Sequence, residues 1–97
     1  MNKRPFSAQA KMQLAEALLA CPTMASRQSR DVVVNDLPGP LRGNIRRHDA
    51  DRIDVVNMIT TALNYADGLE ELITIVRLYE GDSLGMRAVE QVLVTLR

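Results

Sequence analysis

Residues 67–83, "DGLEELITIVRLYEGDS", contain a whole amphipathic helix together with the signals that begin and end it. Its apolar residues recur at steps of three and four, the spacing that places side chains on one face of a helix. They are Leu69, Leu72, Ile73, Val76 and Tyr79. Asp67, followed three residues later by Glu70, predicts a capping box at the start. Gly81 is placed for a left-handed cap, and Ser83 for the N-cap of a following helix. The stretch predicts a helix that ends at Glu80.

The N-terminal third of the chain predicts two more helices. Ser7 caps the first, which runs to about Ala20, and Pro22 ends it because the residue before a proline avoids helical geometry. Ser26 caps the second, which runs to about Asp36. The residues expected to face inward are Met12, Ala15, Leu18, Leu19, Val33, Val34 and Leu37.

The remaining segments also predict helices. "PGP" at 38–40 breaks the chain, after which Pro40 can open a short helix or turn. Asp49 or Asp51 caps a longer helix that runs to about Ala66, and a last helix follows the quoted stretch. The residues expected to face inward are Leu41, Ile45, Ile53, Val56, Ile59 or Thr60, Leu63, Met86, Val89, Leu93 and Leu96.

These patterns predict an all-α fold of five or six short helices without a strand. Short loops between helices favour antiparallel neighbours, so we expect a compact helical bundle. A chain of 97 residues provides one domain with one core. We expect a single helical domain over residues 7–97, preceded by a loose N-terminal tail at residues 1–6.

Composition excludes several classes of protein. Apolar residues make up 46% of the chain, too many for a disordered protein, yet no apolar run approaches the roughly 18–20 residues of a membrane span. The single cysteine cannot form an internal disulfide, which fits a reducing, cytoplasmic setting. One cysteine and one histidine are too few for a metal site, and phosphate-binding glycine motifs are absent. We therefore expect no cofactor and no membrane partner.

The cysteine lies in "EALLACPTM", residues 16–24, and three roles compete for it. A lipoprotein signal needs a continuous apolar stretch of about 7–15 residues, and Glu16 interrupts the one before Cys21. A catalytic thiol needs a base, and His48, the one histidine, lies in the basic segment "RRHD". Free cysteine is among the most buried residue types, so packing at the end of the first helix is the favoured role.

Charge is unevenly distributed along a chain whose net charge is zero. Residues 1–48 carry eight basic and three acidic side chains, and residues 49–97 carry four basic and nine acidic ones. The halves therefore bear +5 and −5. Either the two signs cancel in space on solvated helix faces, or they form a polarised surface suited to pairing with another copy or a related domain.

The basic segment "RGNIRRHDADR", residues 42–52, raises nucleic-acid binding as an alternative function. Small helical domains can bind DNA through such clusters. Against it, the sequence pI is about 6.6, aspartates are interspersed, and no aromatic side chains for base stacking are interleaved. We therefore expect nucleic acid not to be the partner.

Three segments taken in order resemble a known family. They are "LAEALLACPTMASRQSRDVVVNDLP", "GNIRRHDADRIDVVNMITTALNY" and "GLEELITIVRLYEGDSLGMRAVEQVL". Together they resemble the second type of effector-associated domain of bacterial conflict systems, over roughly residues 14–93. The resemblance implies a death-like fold similar in role to caspase-recruitment domains. It also implies homotypic or paired-domain binding between an effector, such as a trypsin-like or caspase-like peptidase, and an NTP-driven switch.

The resemblance implies no catalytic residues, so we expect a non-enzymatic adaptor in bacterial immune or cell-death signalling. Its partner is expected to be a related death-like domain on an effector or NTPase, with self-association also open. Both a free-standing adaptor and a piece of a longer protein fit this sequence. The candidate interface consists of the exposed charges of both halves. They are Arg42, Arg46, Arg47 and Arg52 on one face, and Asp67, Glu70, Glu71, Glu80 and Asp82 on the opposite one.

Overall fold

Seven helices, without a strand, make up residues 6–96, the part of the chain that the computed structural model describes. The all-helical prediction is confirmed. The helices are α1 (Ala8–Leu19), α2 (Pro22–Ala25), α3 (Arg27–Asn35), α4 (Gly39–Asn44), α5 (Asp51–Leu63), α6 (Gly68–Glu80) and α7 (Leu84–Leu96). The helix that the sequence did not predict is α2. Pro22 ends α1 and also occupies the first turn of α2, where a backbone N–H would have no partner within the helix.

The first helix is the centre of the bundle, since it packs chiefly on α5 and α7. Helix α2 bridges α3 and α6, and α4 lies against α5. The radius of gyration of 12.3 Å is that of a compact domain of this length. The predicted loose tail falls outside the described residues except for Phe6, which is half-buried and packs against the core.

Three serine caps predicted from the sequence are confirmed. Ser7 Oγ accepts from the Ala10 backbone N–H at 3.1 Å, and Ser26 Oγ from that of Ser29 at 3.1 Å. Ser83 Oγ accepts from the Met86 N–H at 3.0 Å. Each serine satisfies a donor in the first turn that has no partner within its helix.

The aspartate cap is wrong for α5, whereas at α6 Asp67 occupies the predicted N-cap position without a side-chain capping hydrogen bond. Ala50 occupies the N-cap of α5, and Asp51 is instead the first helical residue, where its carboxylate accepts from Arg30 at 2.7 Å. Asp67 precedes α6 in a left-handed conformation, with φ of 59°, and its side chain makes no capping hydrogen bond. Helix α5 also ends at Leu63 rather than Ala66, because the chain turns through hydrogen bonds from Tyr65 to Ala62 and from Gly68 to Tyr65.

The residues predicted to face inward are buried on α3 and α4. On α6 all of them except Tyr79 are buried, and on α7 all of them except Leu96 are. On α1 and α5 the buried face differs from the predicted one. On α1, Leu14 is buried whereas Met12 is exposed. On α5, the buried face includes Asp54, which arginines hold inside, so Ile53 points to solvent. Tyr79 is also exposed and donates its hydroxyl to Asp36 on α3's C-terminal side. The buried apolar residues of α1 and α5 are Ala10, Leu14, Ala15, Leu18, Val55, Met58, Ile59 and Ala62.

Candidate interaction surface

A fully buried arginine, Arg30, joins three helices. Its Nε donates to Asp54 Oδ2 at 2.9 Å, its Nη1 to the Met24 carbonyl at 2.8 Å, and its Nη2 to Asp51 Oδ1 at 2.7 Å. The guanidinium thereby links α2, α3 and α5. Burial of such a charge is tolerated only when it is paired and hydrogen-bonded on several sides, and this one is.

Arg47 completes the cluster from the loop before α5. Its Nε and Nη2 donate to the two carboxylate oxygens of Asp54 at 2.9 and 2.8 Å, and its Nη1 to Asp31 at 2.8 Å. The His48 backbone N–H also donates to Asp54, at 3.0 Å. Burial would raise the pKa of Asp54, but hydrogen bonds from Arg47, His48 and Arg30 outweigh it and hold that pKa well below its usual range.

The cluster shows where the opposite charges of the two halves of the chain go. Arg30 and Arg47, from the basic half, bind Asp54 from the acidic half, and Arg27 lies 3.7 Å from Asp49. Part of the charge difference between the two halves of the chain is therefore neutralised by ion pairs within the domain, and only the rest is available on its surface.

Glu80 makes a second polar junction, at the end of α6. Its Oε1 accepts from the Thr23 N–H in α2 at 3.0 Å, and its Oε2 from the Ser83 hydroxyl at 2.6 Å. Because Ser83 itself caps α7, one carboxylate connects the ends of three helices. The hydrogen bond from Ser83 outweighs burial and, with those from Thr23, lowers the pKa of Glu80.

The four predicted interface arginines have different environments. Arg42 donates to the Asn35 and Leu37 carbonyls at 3.1 and 3.4 Å, and so closes the end of α3. Arg47 belongs to the buried cluster. Arg52 lies 3.3 Å from Glu16, with more than half of each side chain exposed. Arg46 is exposed. Arg42 and Arg47 thus bind other groups of the fold, and Arg42, Arg46 and Arg52 are exposed.

The five predicted acidic residues fall into two groups at opposite ends of α6. The first group is Asp67, Glu70 and Glu71, all exposed at its N-terminal end. Glu80 and Asp82 lie at the other end, and Glu70 and Glu80 are separated by about 15 Å along the helix axis. Glu80 is engaged in the junction described above, and Asp82 forms an exposed ion pair with Arg87 at 2.9 Å.

Comparison with known proteins identifies the family. The model of a protein family described as effector-associated domain 2 matches residues 15–94, most of the chain. The chain belongs to the effector-associated domain 2 family. No curated protein and no solved structure gives a significant match.

Many of the polar contacts inside the domain are made by residues of the segments that resemble effector-associated domains. Arg30 and Arg47 form the buried cluster, and Glu80 and Ser83 form the α6–α7 junction. The sequence patterns did not predict that Arg30 and Asp54 are buried. A signal existed, because Arg30 lies three and four residues before two inward-facing valines and therefore shares their helix face.

Cys21 is buried between α1 and α2, as the packing interpretation predicted. Its Sγ donates weakly to the Ala17 carbonyl at 3.7 Å, and a Cβ added at Gly85 of α7 would lie 3.1 Å from that sulfur. Burial, followed by the charge of Glu80, raises the pKa of the thiol to about 11. A thiol of this kind is rarely a thiolate at neutral pH and is a poor nucleophile.

Cys21 is therefore expected to react slowly with Ellman's reagent in the native protein and within seconds after unfolding in guanidinium. The Cys21→Ser variant should fold, with a loss of about 1 kcal/mol in the free energy of unfolding, and should retain partner binding. Exposing a cysteine on the surface by Ala88→Cys provides the control, because that thiol should react rapidly in the folded protein. Rapid labelling of native Cys21, or lost binding by a folded Cys21→Ser protein, would contradict the packing role.

His48 is exposed, and its Nδ1 accepts from the Ala50 N–H at 2.9 Å at the start of α5. Within residues 6–96, no group of three or more His, Cys, Asp or Glu side chains is arranged to hold a metal ion. The helices of the same region are all too short or too polar to cross a membrane.

Proposed function

We propose that this effector-associated domain is a non-enzymatic adaptor of bacterial immune or cell-death signalling. It acts in the cytoplasm and recruits an effector, such as a peptidase, to its regulator. The partner is a related death-like domain on the effector or on an NTPase. The observation that carries the proposal is the family match over residues 15–94.

The environment of the reactive side chains supports binding rather than catalysis. The thiol of Cys21 is buried, His48 accepts a backbone hydrogen bond, and the carboxylates of Asp54 and Glu80 are occupied by donors from neighbouring helices. A nucleophile and base within hydrogen-bond reach of each other, which covalent catalysis needs, are not formed by these four groups.

The accessible members of the predicted interface are proposed to orient the partner. Arg46 and Arg52 provide the basic part, and the residues at the start of α6, notably Glu71, provide the acidic part. Arg42, Arg47 and Glu80 shape the domain rather than touch the partner. Charged groups at a rim mainly set orientation and association rate, which suits a chain without tryptophan. The basic segment of the nucleic-acid alternative presents one arginine fewer at the surface, because Arg47 binds Asp54 and Asp31.

A binding titration tests the proposal. The chain is titrated with isolated effector-associated domains of peptidases and NTPases encoded beside its gene, by calorimetry at low and high salt. Reversing both accessible arginines, Arg46→Glu with Arg52→Glu, is expected to weaken binding by about tenfold, since each rim charge contributes about 0–1 kcal/mol. High salt should weaken wild-type binding in the same direction.

The matched control is Lys11→Glu, which reverses one positive charge on α1 outside the predicted set and should leave the affinity unchanged. Circular dichroism confirms that each variant is folded. Binding to none of these domains would contradict the adaptor function. Salt-dependent binding of duplex DNA in their place would support the nucleic-acid alternative. Equal affinity of the wild type and the double reversal would remove Arg46 and Arg52 from the interface.

A further inference from the structure

An open groove next to Phe6 connects the start of α1 with the turn between α5 and α6. Phe6 is half-buried and packs against the core, directly before the serine that caps α1. Leu63 and Leu69 contribute apolar walls to the groove, and Asp67 and Glu70 contribute its two charged side chains, both acidic. The groove is named here the Phe6 groove.

The acidic side of the Phe6 groove belongs to the surface proposed for the partner. Asp67 and Glu71 are both exposed at the start of α6. The Glu71 backbone N–H donates to the Asp67 carbonyl at 3.0 Å, so the two residues lie one helical turn apart. A cation bound at Asp67 therefore stands beside Glu71, the residue expected to meet basic groups of the partner.

Two basic residues, Lys3 and Arg4, closely precede Phe6 in the sequence. They belong to residues 1–5, "MNKRP", which lie outside the described part of the chain. A chain spans at most about 3.3–3.6 Å per residue, so the Cα atoms of Arg4 and Lys3 lie within about 7 and 11 Å of the Phe6 Cα atom. The groove has a volume of about 250 Å³, and both side chains are long, so their charged ends can reach its carboxylates.

The covalent connection to Phe6 favours these two residues over a separate molecule as the occupant. A group tethered to its site by a short segment is present there at an effective concentration of roughly millimolar or more. Exposed pairs of opposite charge are individually weak, so the local concentration decides whether they form. The Debye length at physiological salt is about 8 Å, close to the reach of the segment, so the attraction is only partly screened.

We infer that Lys3 and Arg4 bind the acidic side of the Phe6 groove and thereby compete with the partner for Asp67 and Glu71. The segment before Phe6 is an autoinhibitory contact within the chain. The inference rests on the proposed adaptor function and deepens it by assigning a regulator to the acidic part of the interface. The partner must displace the segment, which reduces its apparent affinity in proportion to the fraction of molecules in which the groove is open.

Nuclear magnetic resonance of the ¹⁵N-labelled chain tests the contact itself. Neutralising both residues, Lys3→Gln with Arg4→Gln, should shift the amide signals of Asp67, Gly68 and Glu71 at low salt. The difference between this variant and the wild type should largely disappear at about 1 M salt, where the Debye length falls to about 3 Å. A direct effect through the chain is not expected, because α6 is more than 60 residues away in the sequence.

A second background tests whether the groove carboxylates receive the two cations. Asp67→Asn with Glu70→Gln removes both charges of the groove, and asparagine tolerates the left-handed conformation of Asp67. Neutralising Lys3 and Arg4 in that background should leave the α6 amide signals unchanged. Circular dichroism should show that each variant is folded, since every substitution lies at an exposed position of α6 or before Phe6.

Competition is measured with a tetralysine peptide as a basic probe of the acidic surface, followed through the Glu71 amide signal. The double neutral variant of Lys3 and Arg4 should bind the peptide about three- to tenfold more tightly than the wild type, because one or two competing charge pairs are lost. Arg4→Gln alone and Lys11→Gln form a matched pair, since each removes one positive charge. The first should tighten binding, and the second, on α1, should not.

The outcomes separate this inference from the adaptor proposal. Amide signals of α6 that do not respond to neutralisation of Lys3 and Arg4, or that respond equally without the groove carboxylates, overturn the inference. Equal tetralysine affinity of the wild type and the double neutral variant also overturns it. A partner domain that shifts the Glu71 signal and binds both proteins equally overturns the inference and leaves the adaptor proposal standing. Failure of both proteins to bind any partner domain overturns the adaptor proposal alone.

Discussion

Replacement of Asp54 by asparagine is expected to reduce the free energy of unfolding by about 3–5 kcal/mol, the range observed when one partner of a buried ion pair is removed. The substitution keeps the shape of the side chain, so it creates no cavity. It removes the charge that Arg30 and Arg47 share in the interior, and Arg30 is fully buried. Because domains of this size have about 5–15 kcal/mol of total stability, we expect much of the variant to unfold on mild heating.

Urea unfolding followed by circular dichroism measures this effect. Glu16→Gln is the matched control, since it removes the carboxylate of the exposed Arg52–Glu16 pair and should cost no more than about 1 kcal/mol. A loss below 1 kcal/mol for Asp54→Asn as well would show that the buried cluster contributes little to stability.

The same cluster predicts an acid transition. The pKa of Asp54 is lower in the folded protein than in the unfolded chain, where the pKa of an aspartate is about 3.9. Its contribution is therefore complete above that pH and is lost as the pH falls toward the folded-state pKa. Wild-type stability should decline steeply below about pH 4, and the decline should be shallower in Asp54→Asn, which lacks the titrating group.

Replacement of Gly68 by alanine should have the second large effect. A Cβ at this position would lie 2.1 Å from the Ala62 carbonyl oxygen and 3.2 Å from Tyr65 Cβ. The first contact is with backbone at the end of α5, which cannot rotate away as a side chain can. We expect a loss of about 3 kcal/mol, at the upper end for overpacking, and a fall in Tm of more than about 10 °C.

Differential scanning fluorimetry provides the measurement, and Gly43→Ala provides the control. A Cβ at Gly43 meets no atom within 4 Å, and alanine favours helix over glycine, so that variant should be neutral or slightly stabilised. Equal Tm values for the Gly68→Ala variant and the wild type would mean that the α5–α6 turn relaxes at little cost.

The local signals of the sequence determined the class of fold and much of the helix punctuation. Serine caps at Ser7, Ser26 and Ser83 depend on residues three positions away, so a short stretch of sequence specifies them. Gly81 ends α6 with the positive φ, 71°, that its place after Glu80 predicts, although its ψ of −157° lies outside the left-handed helical region. The order of the three resembling segments was enough to identify the family.

Which charges face inward depends on contacts between residues that are far apart in the sequence. Arg30 reaches Asp54 across 24 residues of sequence, and Arg47 joins them from a loop, so no local pattern specifies their geometry. The two aspartates expected to cap α5 do not cap it for this reason, since Asp51 accepts from Arg30 and Asp49 lies 3.7 Å from Arg27. The packed fold brings arginine donors close to these carboxylates, whereas capping preferences depend only on residues that are neighbours in the sequence.

The sequence likewise did not distinguish the exposed residues of the predicted interface from those that bind other groups of the fold. Charge counting treated Arg46 and Arg47 alike, yet one is exposed and the other binds two aspartates. The amino-acid sequence was sufficient to identify a helical effector-associated domain with an uneven charge distribution. The ion pairs of Arg30 between α3 and α5, and the packing of α1 against α7, determine which charges are buried and which faces remain exposed. The physical reason is that burial and ion pairing depend on distances in space, which helix periodicity alone does not define.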